Sequence, residues 1–285
     1  MVFFRTFLSQ WLVLTLFALA SACQQNERTC HSQSAKLFGQ PSENTGLSEA
    51  QCAPRCNHCG DAEFAPPEYS IGFVDWLLGR THQNPPERLG TDPYSNAYEP
   101  EVSGSGLLCI AIFEADGVQY RLETQPEDSW VPAESQFVTH RNGCGQCSSL
   151  QDLAVYIGNP DLTGPVRACG AQGFTDGEEA QRQCLLDIGF SEPCADIWLY
   201  NILNTRRECL ASCLEYFDLP HHLADGSLNP CIQCDEDESG PIFKLVSGRT
   251  RRNSGLASGL CRPCETVFPL THSYGFDSSS SGSGR

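Results

Sequence analysis

Leu107–Phe113 (LLCIAIF) is an unbroken apolar run, and Val118–Thr124 (VQYRLET) alternates apolar with polar side chains. Between them lies Glu114-Ala115-Asp116-Gly117. An Asp-Gly step joining two β-rich runs predicts an antiparallel hairpin, because glycine accepts the positive φ of a tight turn. A third strand is expected near Gln136–Thr139. Beyond it the apolar period lengthens to that of a helix. Leu150, Leu153, Ala154 and Ile157 share one face after Ser148. Thr175 with Glu178 three residues on has capping-box spacing and predicts a helix through Ile188, closed by Gly189. Ser191 or Glu192 opens a longer helix to about Phe217, stopped by Pro220, with the stripe Leu199, Ile202, Leu203, Leu210, Cys213, Leu214 and Phe217. Ile71–Leu78 (IGFVDWLL) reads as a short apolar patch docked on the core, and residues 221–270 as mostly loop.

The pattern gives an α+β class, with a β-hairpin-containing part packed with a cross-linked helical part. Residues 1–22 carry one charge, Arg5, then a short apolar core and the small residues Ala20, Ser21 and Ala22. That is the pattern of a cleaved signal peptide and is too short for a membrane span. Residues 23–84 form a cysteine-rich segment and 85–106 a Pro/Gly/Ser-rich connecting loop. Residues 107–270 make the main domain, and 271–285 a Ser/Gly tail expected to be disordered.

Seventeen cysteines in 285 residues sharpen this picture. Export places them in an oxidising compartment, so most should be cross-linked. The localisation expected is secreted or cell-envelope. Leu19-Ala20-Ser21-Ala22-Cys23 resembles a bacterial lipobox. Removing Cys23 by lipidation would leave an even sixteen, enough for eight bridges; ordinary cleavage leaves it free or paired. Cys209 and Cys213 lie one turn apart on a helix, so both sulfurs should reach a neighbouring segment rather than each other. The net charge of −17 argues against a nucleic-acid partner.

The sharpest candidate for chemistry is His140-Arg141-Asn142-Gly143-Cys144-Gly145-Gln146-Cys147. It sets a C-G-x-C at a helix N-terminus, where backbone N–H groups and nearby positive charge favour a thiolate. The stretch resembles thioredoxin-like oxidoreductases, which implies Cys144 as attacking and Cys147 as resolving thiol. It also resembles papain-like hydrolases, which implies Cys147 as nucleophile, with Ser148 where those enzymes carry an aromatic residue. Each resemblance spans fewer than ten residues. The alternative is that both cysteines are structural bridges at a helix entrance.

Four CxxC pairs, at Cys56/Cys59, Cys144/Cys147, Cys231/Cys234 and Cys261/Cys264, have zinc-ligand spacing. Asp235, Asp237 and Ser239, followed by Gly240, match the first half of a calcium loop, although its twelfth position is Val246 rather than Glu. The alternative there is a solvated acidic turn. Lys244, Arg249, Arg251, Arg252 and Arg262 gather in an otherwise acidic chain, and Arg249-Thr250-Arg251-Arg252 has the form cut by proprotein convertases. A plain basic loop that meets acidic surfaces or a small anion is the other reading. His221-His222, near Asp225, reads either as part of a site with a cysteine or carboxylate or as a surface pair capping a loop. The sequence therefore supports an exported disulfide-rich binding or structural protein, for an unidentified protein or small ligand, or else a thiol-based enzyme using Cys144, Cys147 and His140.

Overall fold

The computed structural model describes residues 37–56, 64–95 and 106–276. The signal peptide, Cys23, Cys30, Cys59 and the end of the tail lie outside the described residues. The fold is α+β and disulfide-rich. A small sheet joins β1 (Leu37–Phe38), β2 (Cys52–Ala53) and, near the far end of the chain, β7 (Arg262–Pro263) in the order β2-β1-β7. The larger sheet has β3 (Thr81–His82), β4 (Leu107–Phe113), β5 (Gln119–Pro126) and β6 (Gln136–Arg141), ordered β3-β5-β4-β6. The helices are α1 (Ile71–Leu78), α2 (Leu150–Gly158), α3 (Thr163–Thr175), α4 (Glu178–Asp187), α5 (Glu192–Glu215), α6 (Pro230–Glu238) and α7 (Gly240–Ser247).

β4 and β5 form the expected hairpin, pairing antiparallel from Leu107↔Pro126 to Phe113↔Tyr120. Gly117 takes φ 64°, and Asp116 Oδ1 accepts the Val118 and Gln119 N–H groups at 2.8 and 2.9 Å. β4 reads apolar throughout because both sheet faces are covered. Cys109 and Ala111 join the main core with Phe73, Leu77, Leu150 and Leu153. Leu108, Ile110 and Ile112 pack on the other side with Trp130, Val138 and Phe268. Between Cys109↔His140 and Ile110↔Val138 the register slips, so Thr139 is the extra residue of a bulge.

Helix ends follow local chemistry. Ser70, Ser149, Ser191 and Asn229 each accept a first-turn N–H as N-caps. Asp152 knits two of these caps together: its carboxylate accepts from Ser149 Oγ at 2.6 Å, Ser191 Oγ at 2.9 Å and Ser191 N at 2.8 Å. The Thr175 capping box does not form. Thr175 closes α3 instead, donating its hydroxyl to Gln172 O at 3.1 Å, and Gly177 at φ 87° precedes α4. Two helices, α6 and α7, interrupt the stretch 221–270 expected to be mostly loop, while its two ends are largely irregular.

Seven disulfides hold the described residues. Cys52–Cys261 and Cys56–Cys264 tie the N-terminal segment to the C-terminal one. Cys209–Cys234 and Cys213–Cys231 staple α5 to α6, so the CxxxC face does reach a neighbour. Cys169–Cys184 joins α3 to α4. The loop before β4 is not loose where it is described: Arg88 pairs with Asp196 at 2.8 Å, and Tyr94 OH donates within reach of Asn201 Oδ1 and Ser239 O. Residues 271–276, expected in the tail, are folded in, with His272 and Tyr274 buried.

Candidate functional site

The C-G-x-C stretch lies between the sheet and α2, and each of its cysteines is already committed. Cys144 bridges to Cys109 in β4, and Cys147 to Cys194 at the start of α5, with Cα separations of 4.8 and 4.5 Å. Neither is a free thiol and they are not joined to each other. Cys147 is wholly buried. The glycine between them is there for close approach. A Cβ on Gly145 would meet Val246 O at 2.4 Å, because Gln146 N and Cys147 N donate to Val246 O and Ser247 O at the end of α7.

His140 is also wholly buried. Its Nδ1 faces Arg141 O at 3.0 Å, so that nitrogen must carry the proton. Nε2 then accepts from Ser148 Oγ at 2.7 Å, while Ser148 Oγ accepts the Gly145 N–H at 2.7 Å. Burial, with the nearby Arg249 charge, holds the imidazole well below its ordinary pKa. A serine hydroxyl on a neutral imidazole resembles an activated nucleophile, but both groups are sealed from solvent. Here the pair fixes a turn.

The charge at the centre of this region is Arg249, fully buried. Among the described residues no carboxylate lies within 4.0 Å of it; its partners are neutral oxygens. It donates to Cys147 O (3.0 Å), Thr139 O (2.9 Å), Ser148 O (2.9 Å), Ser254 Oγ (3.3 Å) and Thr139 Oγ1. The bulge at Thr139 frees the carbonyl that receives it. Arg251 is turned inward as well, to Tyr156 O, Ala257 O and Asn159 O, and burial lowers its pKa to about 10. Arg249 and Arg251 are therefore internal clamps rather than parts of an exposed processing site, whereas Arg252 turns to Glu236.

The other sequence candidates also find structural places. Asp235 and Asp237 stand on α6 and Ser239 at its C-cap, so they do not wrap a loop around a cation. Asp235 accepts from Asn201 Nδ2 at 3.1 Å and from Thr205 Oγ1, Asp237 accepts from Gln233 Nε2 at 2.9 Å, and Ser239 bonds Asn204 and Thr205. Among the described residues no group of His, Cys, Asp and Glu side chains could hold a metal ion. The C-terminal CxxC pairs are consumed in bridges to other segments. His221 and His222 are buried rather than on the surface. His221 Nε2 meets Asp161 Oδ2 at 3.1 Å, and His222 Nε2 accepts the Cys261 N–H at 2.9 Å.

What the sequence did not reveal is a groove of about 530 Å³ between α3, α5, α6 and α7. Its walls are mainly apolar and include Leu162, Val166, Ile202, Ile232 and Phe243. Its rim carries Phe174, Leu210, Leu214 and Phe217, exposed to 61%, 38%, 68% and 49%. The last three belong to the apolar stripe read along the long helix, with Phe217 lying just past the end of α5 at Glu215. The stripe is real, but its C-terminal half faces an opening because α3 ends at Thr175 and the bridges set α6 beside it. Gly170 of α3 lets α5 come close: a Cβ there would sit 3.2 Å from Ile202 Cγ2. The signal for α3 was available in Val166, Cys169, Gly170 and Gly173, buried at helical spacing, but small residues hide such a face from a search for large apolar ones.

At the C-terminal side of the groove, Glu236 accepts from Lys244 Nζ (2.9 Å), Arg252 Nη2 (3.4 Å) and Arg262 Nη2 (2.5 Å). Burial acts to raise the Glu236 carboxyl, and the charges of Arg262 and Lys244 outweigh it, so it ends below the usual range. Residues 178–270, from α4 through β7, match a family described as a family of unknown function (DUF8771). No curated protein and no solved structure matches the chain. Among the described residues no helix is long and apolar enough to cross a membrane.

Proposed function

We propose that the protein is an exported, disulfide-stapled binding protein that holds an apolar small molecule in the groove between α3, α5, α6 and α7. The observation that carries this reading is the opening of about 530 Å³ with exposed Phe174, Leu214 and Phe217 at its rim. That volume falls within the span typical of ligand pockets, roughly 300–1,000 Å³. Leaving large apolar side chains exposed around a concave apolar wall is unfavourable unless something covers them. The walls are held by covalent staples: Cys213 and Cys231 line the groove and bridge α5 to α6. Such cross-links keep a cavity open that packing alone would tend to close. The density of bridges supports an oxidising compartment. The competing thiol-enzyme reading loses its support, since Cys144 and Cys147 are in separate bridges.

The test is binding of the neutral fluorescent probe N-phenyl-1-naphthylamine to the oxidised protein. Saturable enhancement is expected, and Ala171→Trp, which adds bulk at an exposed position of the groove wall, should weaken it about tenfold or more by filling the space. Enhancement unchanged by Ala171→Trp and by Ile202→Trp would place the probe elsewhere and remove the basis for this function.

A further inference from the structure

We propose that the ligand is a long-chain anion, an acyl or alkyl chain ending in a carboxylate or phosphate, with its head group seated against Lys244, Arg252 and Arg262. This rests on the reading of the groove as a ligand site and names what that site selects. The chain as a whole carries a net charge of −17, yet this stretch of groove wall gathers three cations around a single carboxylate. A structural ion pair needs one cation. Two positive charges are left over.

Each of the three gives Glu236 one hydrogen bond, and an ammonium and two guanidinium groups carry many more donors than that. Their side chains are 36%, 27% and 15% exposed. They are thus shielded enough for charge to count and open enough to turn toward a ligand. The neighbouring Asp235 pairs with none of the three; its carboxylate accepts instead from Asn201 Nδ2 at 3.1 Å and from Thr205 Oγ1. Arg167 of α3 is a further cation in the groove lining. Its guanidinium donates to Phe217 O at 3.2 Å and has no carboxylate within 4.0 Å among the described residues. Apolar walls with a cationic cluster at one side match a chain with an anionic end.

The experiment compares dodecanoate, dodecyl phosphate, dodecanol and dodecylammonium as competitors of N-phenyl-1-naphthylamine on the oxidised full chain. The two anions should displace the probe at least about tenfold more tightly than dodecanol, the factor expected for charge-assisted hydrogen bonds. The tighter of the two identifies the head group. The double variant Lys244→Gln/Arg252→Gln should bring the anions down to the level of dodecanol while leaving probe and alcohol binding unchanged, which also shows that it is folded. Dodecanol binding as well as the anions, or dodecylammonium binding best, would overturn the head-group assignment and leave the groove standing. Failure of the neutral probe itself to bind would instead remove the groove reading.

Discussion

Removing both bridges between the chain's ends, with Cys52→Ala and Cys56→Ala in the presence of Cys261→Ala and Cys264→Ala, is expected to destabilise the protein by about 8 kcal/mol, whereas removing either bridge alone costs about 2–3 kcal/mol. The asymmetry follows from loop closure. The bridges span 209 and 208 residues of sequence, and closing a loop of that length restrains the unfolded chain by about 5 kcal/mol. Once one bridge exists, the second closes only the small ring between the two cysteine pairs and adds the lesser amount. Either single removal therefore leaves the long loop closed. Denaturant unfolding of the two single-bridge variants and the double variant measures the difference. A double variant that loses no more than the sum of the singles would show that the two bridges act independently.

Arg249→Met is the second large effect. The guanidinium engages oxygens from β6, the C-G-x-C stretch, the turn before α2 and the turn at Ser254. Methionine would leave several buried carbonyls without donors, at about 1–3 kcal/mol each. A loss of at least about 3 kcal/mol is therefore expected, even though a desolvated charge is removed with the side chain. Arg249→Lys should recover only part of this, because one ammonium cannot fan out to oxygens on four segments. A second readout separates charge from packing. Burial and then the Arg249 charge hold His272 down to about 3 and act in the same order on His140. In folded Arg249→Met both should titrate higher by NMR. Histidine titrations unmoved in a folded variant would mean the guanidinium charge does not reach them.

Much of the fold was legible in the residues. The hairpin follows from an alternating run, an apolar run and an Asp-Gly turn, all local signals. The long helix follows from Ser191 as cap and a sustained period. The bridges were legible in kind, less so in partner. A CxxxC meets a CxxC in two places, Cys52/Cys56 with Cys261/Cys264 and Cys209/Cys213 with Cys231/Cys234. Spacing alone could not tell these from metal ligands. The C-G-x-C misled because glycine between cysteines also serves close backbone contact, and that contact, with Val246 and Ser247, comes from a hundred residues away in sequence. The buried role of Arg249 was invisible for a related reason: arginine is ordinarily a surface residue, and its partners are carbonyls, which carry no side-chain signature. The groove could not be read at all. Part of its rim, Leu210 and Leu214, shares the apolar stripe of α5 with the core, and only the packing of α3 and α6 decides which half is covered.

The claim on which the functional account depends is that the space between α3, α5, α6 and α7 takes up an apolar ligand. Methyl NMR of the oxidised protein during titration with N-phenyl-1-naphthylamine tests it at the level of residues. Val166, Ile202, Leu210 and Ile232 should shift together and saturate together, while Leu108, Ile110 and Ile112 on the outer sheet face stay in place. Saturable shifts confined to the sheet, or none in the groove at probe saturation, would contradict it.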